Sequence, residues 1–132
     1  MKINVTIDVS REVLEGIFIT ALEGGSNYWY QLRDDAIDTI EKAVPRTETS
    51  SLSERLFKAV YECGATIFIH DADGDEGDEP IGELNADTMR EGLRRCANES
   101  MWALQSEIDG EGDAVSSDVV FQYMSLGELV FG

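Results

Sequence analysis

Positively charged residues are scarce in this chain of 132 residues: 10 lysines and arginines stand against 27 acidic residues, a formal net charge of −17. Nucleic-acid backbones and anionic membrane surfaces are bound through lysine and arginine, so direct binding to either is disfavoured. A basic partner is favoured instead, because opposite charge steers the encounter. The same acidity also fits adaptation to a salt-rich cytosol. In that case the fold should melt as salt is removed.

Residues used in catalysis are also few, with one histidine and two cysteines. A Ser-His-Asp or Cys-His arrangement must use His70, which ends a predicted strand immediately before a run of aspartates. Those carboxylates favour the charged imidazolium, which is wrong for a resting general base. No CxxC, HExxH, GxSxG or P-loop motif occurs. We therefore expect no enzyme, no metal and no cofactor.

Long apolar runs are absent, and none approaches the roughly 20 residues of a membrane span. Residues 1–13 alternate polar and apolar side chains, unlike a signal peptide, so a cytoplasmic setting is expected. Cys63 and Cys96 each lie within the apolar stripe of a predicted helix. Both are therefore expected to be reduced core thiols, because disulfides rarely persist in the cytosol.

Apolar spacing predicts the order of elements in a single domain, residues 1–132. Five helices are expected at 11–23, 33–44, 52–63, 86–108 and 114–126, and strands at 2–9, 65–70, 80–84 and 128–132. Gly24 or Gly25 is expected to end the first helix in the left-handed conformation. The elements do not alternate as βαβ units. The chain is therefore predicted to be α+β, a small antiparallel sheet with helices packed on one face.

The predicted hairpin loop 71–79 has six carboxylates in nine residues. They are Asp71, Asp73, Asp75, Glu76, Asp78 and Glu79. An EF-hand needs glycine at loop position 6 and glutamate at position 12, where this chain has Glu76 and Gly82. The loop is either a solvated hairpin tip or a phosphate mimic. Its charge density resembles a nucleic-acid backbone and could occupy an arginine- and lysine-lined groove.

Residues 21–30 read ALEGGSNYWY and combine glycines with three adjacent aromatic residues. Consecutive residues of an extended segment face opposite ways, so either Trp29 is buried and Tyr28 and Tyr30 face outward, or the reverse. An exposed ring beside Asn27 could stack on a ligand or grip a partner. The alternative is a purely structural role, a helix stop followed by a hydrophobic anchor.

Arg90, Arg94 and Arg95 form the only local basic cluster. Pairing with acidic neighbours such as Glu91 and Glu99 is the simpler interpretation. A clamp for an anionic ligand is the alternative.

The stretch ALEGGSNYW and the C-terminal QYMSLGELVFG together resemble a family of small uncharacterised proteins encoded by phages and prophages. The resemblance covers the first 30 and the last 20 residues, and it does not include the acidic loop. It implies a phage accessory gene and carries no catalytic residues. It also suggests that the two motifs meet in space, with Trp29 near Gln122, Tyr123 and Glu128.

Charge, loop and resemblance together predict a non-enzymatic inhibitor that binds a basic, nucleic-acid-handling host protein or nucleoprotein complex of the defence machinery. The alternative is a small-molecule binder, for instance of a nucleotide signal, formed at the interface of a homo-oligomer. Its site would consist of Asn27, Tyr28, Trp29, Tyr30, Arg90 and Arg94.

Overall fold

The computed structural model describes every residue from Met1 to Gly132. It has the predicted α+β architecture, with six α-helices and a three-stranded antiparallel sheet. The helices are α1 (Arg11–Thr20), α2 (Asp34–Ala43), α3 (Leu52–Tyr61), α4 (Ala86–Glu99), α5 (Met101–Ile108) and α6 (Ala114–Leu126). The strands are β1 (Tyr30–Gln31), β2 (Ile67–Asp71) and β3 (Gly82–Leu84), in the order β1-β2-β3. None of the helices combines the length and apolar character that crossing a bilayer demands.

Short polar side chains start the helices where the sequence places them. The Ser10 hydroxyl accepts a hydrogen bond from the Val13 amide at the start of α1. At the start of α4, Asn85 and Thr88 satisfy one another's backbone amides in a reciprocal capping box. Each such bond satisfies a backbone amide that the first helical turn leaves free, which typically contributes about 1 kcal/mol.

Helix α6 is the centre of the core, and its residues from Ser116 to Ser125 are all buried. Helices α1, α4 and α5 pack around it. Phe121 of α6 lies edge to face with Phe18 of α1 at a centroid distance of 5.7 Å, and Phe18 meets Phe57 of α3 at 5.1 Å. Because every side of α6 is covered, its polar residues also face the interior and need hydrogen-bond partners there.

Helices α4 and α6 approach closely at Gly92. A Cβ atom at this position would lie 2.1 Å from the carbonyl oxygen of Tyr123 and 2.6 Å from the Cα of Met124. Both are backbone atoms, so they cannot move aside by changing a rotamer. Only glycine is compatible with this distance between the two helices.

Two of the predicted strands are absent from the structure, and one strand that it contains was not predicted. Residues 2–9 form no strand, and Ile3 and Val5 are 76% and 71% exposed. Residues 128–132 also form no strand, because their backbone bonds a side chain of α6. The third strand of the sheet is instead β1, which pairs Tyr30 with Asp71 and Gln31 with His70.

The predicted long helix 86–108 is interrupted at Ser100, whose backbone leaves the helical region at φ −144° and ψ 48°. The Ser100 hydroxyl lies 3.0 Å from that of Tyr123 on α6, so a tertiary contact accompanies the break. Helix α3 ends at Tyr61, earlier than predicted. Cys63 therefore falls outside the helix and is exposed, contrary to the core position predicted for it, whereas Cys96 is buried as expected.

Candidate functional site

The aromatic segment 26–30 lies against α6, where it surrounds the carboxylate of Asp118. One carboxylate oxygen accepts hydrogen bonds from the Ser26 hydroxyl and the Trp29 indole nitrogen, both at 2.7 Å. The other accepts one from the Tyr28 hydroxyl at 2.5 Å. The Asp118 side chain is buried and no cation pairs with it. These neutral donors therefore replace the water that a buried carboxylate loses.

Gln122 lies one turn further along α6 and joins the C-terminal residues to the same network. Its side-chain nitrogen donates to Asp118 at 3.2 Å and to the Phe131 carbonyl at 3.2 Å. Its oxygen accepts from the amides of Val130 and Phe131 at 3.0 and 2.9 Å. The Phe131 ring then stacks on Trp29 at a centroid distance of 5.2 Å. The two motifs that carry the phage-protein resemblance are thus in contact.

Trp29 and Tyr28 follow one of the two predicted alternatives, but Tyr30, which that alternative places outward, is partly buried and packs against the core. Trp29 is 1% exposed, whereas Tyr28 is 53% exposed and Tyr30 lies between them in exposure. The Tyr30 hydroxyl donates to the carbonyl of Leu22 at 2.6 Å. Trp29 is therefore the buried anchor of the segment, and its ring is not available for stacking on a ligand.

Packing explains only one of the two adjacent glycines, Gly24 and Gly25, that precede segment 26–30. Residues Ala21–Gly25 continue α1 as a turn of π-helix, and neither Gly24 nor Gly25 takes the left-handed conformation predicted for it. A Cβ on Gly25 would lie 2.6 Å from the carbonyl oxygen of Ala114, while a Cβ on Gly24 would meet nothing within 4 Å. Gly25 thus lets the segment approach the start of α6.

The phenol groups of Tyr28 and Tyr30 are held in their neutral form. Burial, followed by the hydrogen bond to Asp118 and the charge of that carboxylate, raises the pKa of Tyr28 to about 12. Burial followed by the charge of Glu23 raises the pKa of Tyr30 to about 12 as well. Both values lie above the ordinary tyrosine value of 10.0.

We expect the folded protein to become less stable as the pH rises from about 10 to about 12. In that range the unfolded chain loses the two phenol protons while the folded chain keeps them, so deprotonation favours unfolding. The contribution is complete below pH 10 and is lost above the folded pKa. Absorbance titration of tyrosinate should show late ionisations, with Tyr28→Phe and Tyr30→Phe each removing one. If all four tyrosines ionise together near pH 10 in the native state, the expectation is wrong.

The acidic hairpin, residues 71–79, connects β2 to β3, which pair in the register Ile67 to Leu84. Arg33 holds this loop through its backbone. Its guanidinium donates to the carbonyls of Asp75 at 2.6 Å and Glu76 at 2.8 Å. The Gln31 amide donates to the Asp71 carbonyl at 2.7 Å. These bonds to backbone carbonyls hold the loop conformation. Arg33 makes no ion pair with the carboxylates of the loop.

The carboxylates of the hairpin face solvent, apart from partly buried Asp71. The exposed ones are Asp73, Asp75, Glu76, Asp78 and Glu79. Two carboxylates stabilise turns within the loop: Asp71 accepts from the Asp73 amide and Asp78 from the Asp75 amide, each at 2.8 Å. No loop carboxylate forms a salt bridge. No cluster of three or more potential metal-binding side chains is present in the protein.

Neither His70 nor a cysteine is placed beside a catalytic partner. His70 is buried in β2, and its Nδ1 makes no hydrogen bond. The two cysteines are free, one exposed and one buried. Burial raises the pKa of the Cys96 thiol to about 12, which keeps it protonated and unreactive.

The residues of the alternative ligand site lie in separate places. Arg94 and Arg95 both pair with Glu91, at 2.6 and 3.2 Å, and Arg90 lies 3.7 Å from Asp87. The hydrogen bonds from Arg94 and Arg95 lower the pKa of Glu91 to about 2. Arg90 and Arg94 line a groove beside the N-terminal residues, and none of residues 27–30 lines it.

Sequence reasoning missed Asp118, the residue at the centre of the network around segment 26–30. With 27 acidic residues in the chain, one aspartate on a helix carries no distinguishing signal. Its one unusual feature in the sequence is that it is the only charged residue of the predicted helix 114–126. A carboxylate on the interior side of a helix requires donors from elsewhere in the chain.

Comparisons with known proteins give no information on the function of this chain. No protein-family model, curated protein or solved structure matches it. The phage-protein resemblance therefore stays a prediction.

Proposed function

We propose that this chain is a non-enzymatic, phage-type accessory protein that binds a basic, nucleic-acid-handling host component through the acidic hairpin. The observation that carries the proposal is how the hairpin is held. Arg33 and Gln31 bond its backbone carbonyls, while five of its carboxylates remain exposed and none forms a salt bridge. The loop therefore presents an ordered set of negative charges without neutralising them internally.

An ordered loop suits charge recognition because less conformational entropy is lost on binding. Exposed carboxylates accept charge-assisted hydrogen bonds from arginine and lysine, the groups that otherwise grip phosphates. The net charge of −17 also accelerates the encounter with a basic surface at low salt. The phage setting and the defence-related target are drawn from the resemblance alone.

The test begins with capture of a partner from nuclease-treated host lysate and continues with the purified pair. The loop variant carries Asp71→Asn, Asp73→Asn, Asp75→Asn and Asp78→Asn. Asparagine keeps the oxygens that stabilise the loop turns but removes four charges. The expected result is a Kd weakened by about tenfold or more with no change in thermal stability, since one lost charge contact can cost about 2 kcal/mol.

A matched control removes four exposed charges outside the loop. It carries Glu48→Gln, Glu99→Gln, Glu111→Gln and Glu128→Gln, none of which takes part in a salt bridge. Both variants have the same net charge, so long-range steering falls equally in the two. If the control weakens binding as much as the loop variant does, the hairpin is not the binding surface. Unchanged affinity in the loop variant would also contradict the proposal.

A further inference from the structure

Residues 2–9, KINVTIDV, belong to no helix or strand, and their backbone has no hydrogen-bond partner. No hydrogen bond, from backbone or side chain, involves residues 1–9. The segment nevertheless has the alternation of a strand, with β-branched residues at positions 3, 5, 7 and 9. It therefore offers a row of free amides and carbonyls beside an apolar face, which is the surface that another strand recognises.

The apolar face of this segment borders an open groove of about 990 Å³. Ile3, Val5 and Ile7 line one side of the groove and are 76%, 71% and 38% exposed. Met89 and Leu93 of α4 line the other side. Exposed apolar side chains gathered in one place commonly mark a contact surface.

No strand of the sheet pairs with this segment within one molecule, and none matches it in length. The edge strands β1 and β3 have two and three residues, against the eight residues of the segment. A partner strand of matching length is present in any second copy of the chain.

The segment is complementary to itself when two copies run antiparallel about a two-fold axis at Val5. In that register Lys2 lies opposite Asp8, so opposite charges meet on both sides of the axis. Ile3 lies opposite Ile7, and Val5 lies opposite its own counterpart. The apolar residues of both copies thus share one face, and the polar ones share the other.

We infer that residues 2–9 pair with the same segment of a second copy in this register, and that the two-stranded ribbon covers the groove beside α4. A two-stranded ribbon is marginal by itself, so contact with the apolar groove supplies the burial that it needs. This inference does not rest on the proposed function, because it concerns a surface without any residue of the acidic hairpin.

Cysteine cross-linking tests the register in a Cys63→Ser background, which removes the one exposed thiol. At the two-fold axis the Cα atoms of Val5 and its counterpart would lie about 4.5–5.5 Å apart, within disulfide range. The corresponding Ile3 atoms would lie about 13 Å apart. Val5→Cys should therefore cross-link readily, while Ile3→Cys and Ile7→Cys should do so only when mixed with each other. Equal cross-linking of all three single variants would overturn the inference.

Charge reversal tests the pairing without a covalent bond, by sedimentation at about 0.15 M salt, where repulsion between the acidic copies is screened. Lys2→Asp or Asp8→Lys alone places like charges opposite each other and should weaken dimerisation by about tenfold. The double variant Lys2→Asp, Asp8→Lys should restore it. Failure of the double variant to recover would contradict the register.

Val5→Pro separates assembly from folding. Proline removes an amide that the monomer leaves unbonded, so the fold should persist while dimerisation is lost. A wild-type protein that stays monomeric at millimolar concentration would overturn the inference. The four-aspartate loop variant should dimerise like the wild type, so a failure of the hairpin proposal remains distinguishable from a failure here.

Discussion

Gly92→Ala is expected to lower the free energy of unfolding by about 3 kcal/mol, at the upper end of the cost of overpacking a core. The added methyl carbon would lie 2.1 Å from the Tyr123 carbonyl oxygen, well inside contact distance. Relief requires α4 to move away from α6, which opens gaps along the most extensive helix contact of the core. Urea unfolding followed by circular dichroism measures the change.

Gly16→Ala is the matched control for this substitution. Gly16 also lies inside a helix, but a Cβ there would meet nothing within 4 Å. Alanine in an exposed helical position should raise the free energy of unfolding by about 0.5–1 kcal/mol. The same chemical change should therefore have opposite signs at the two sites. If Gly92→Ala also stabilises the protein, the helices do not approach as closely as described.

Asp118→Ala is expected to destabilise the protein by about 3–5 kcal/mol, because it leaves several buried donors without an acceptor. The donors that lose their partner include Ser26 and Trp29, which are 0% and 1% exposed. Asp118→Asn should cost less, about 1–2 kcal/mol, since one amide oxygen can still serve those two donors. The measurement is again urea unfolding.

Asp38→Ala serves as the control, because Asp38 is exposed on α2 and its loss should change the stability by less than about 0.5 kcal/mol. A Trp102→Phe background makes Trp29 the sole indole reporter. The fluorescence emission of Trp29 in Asp118→Asn should report whether segment 26–30 remains packed against α6. Equal stability of Asp118→Ala and Asp38→Ala would show that the network contributes nothing.

Local signals predicted the helix starts and the fold class. Ser10 and Asn85 cap helices through bonds to residues three positions away, so a short window of sequence contains the whole interaction. The break at Ser100 was missed because the apolar stripe runs through it. The Tyr123 hydroxyl that bonds Ser100 lies 23 residues further along the chain.

The difference between local contacts and contacts distant in sequence also explains the errors at the N-terminal segment and at the carboxylate network. Alternation in residues 2–9 indicates an extended backbone, but it contains no information about which strand, if any, pairs with it. Asp118 is joined to Ser26 across 92 positions, which no periodicity reveals. The predicted hairpin was correct because its two strands are neighbours in sequence and only a loop separates them.

The hydrogen bonds between segment 26–30 and α6 also determine when this segment can fold during translation. Ser26, Tyr28 and Trp29 must wait for an acceptor 89–92 residues later in the chain. Until α6 leaves the ribosome, the Trp29 indole N–H has no Asp118 carboxylate to accept its hydrogen bond, and Phe131 does not cover its ring. The packing around Trp29 therefore cannot be completed before α6 is made, and we expect chaperone binding during that interval to concentrate on this segment.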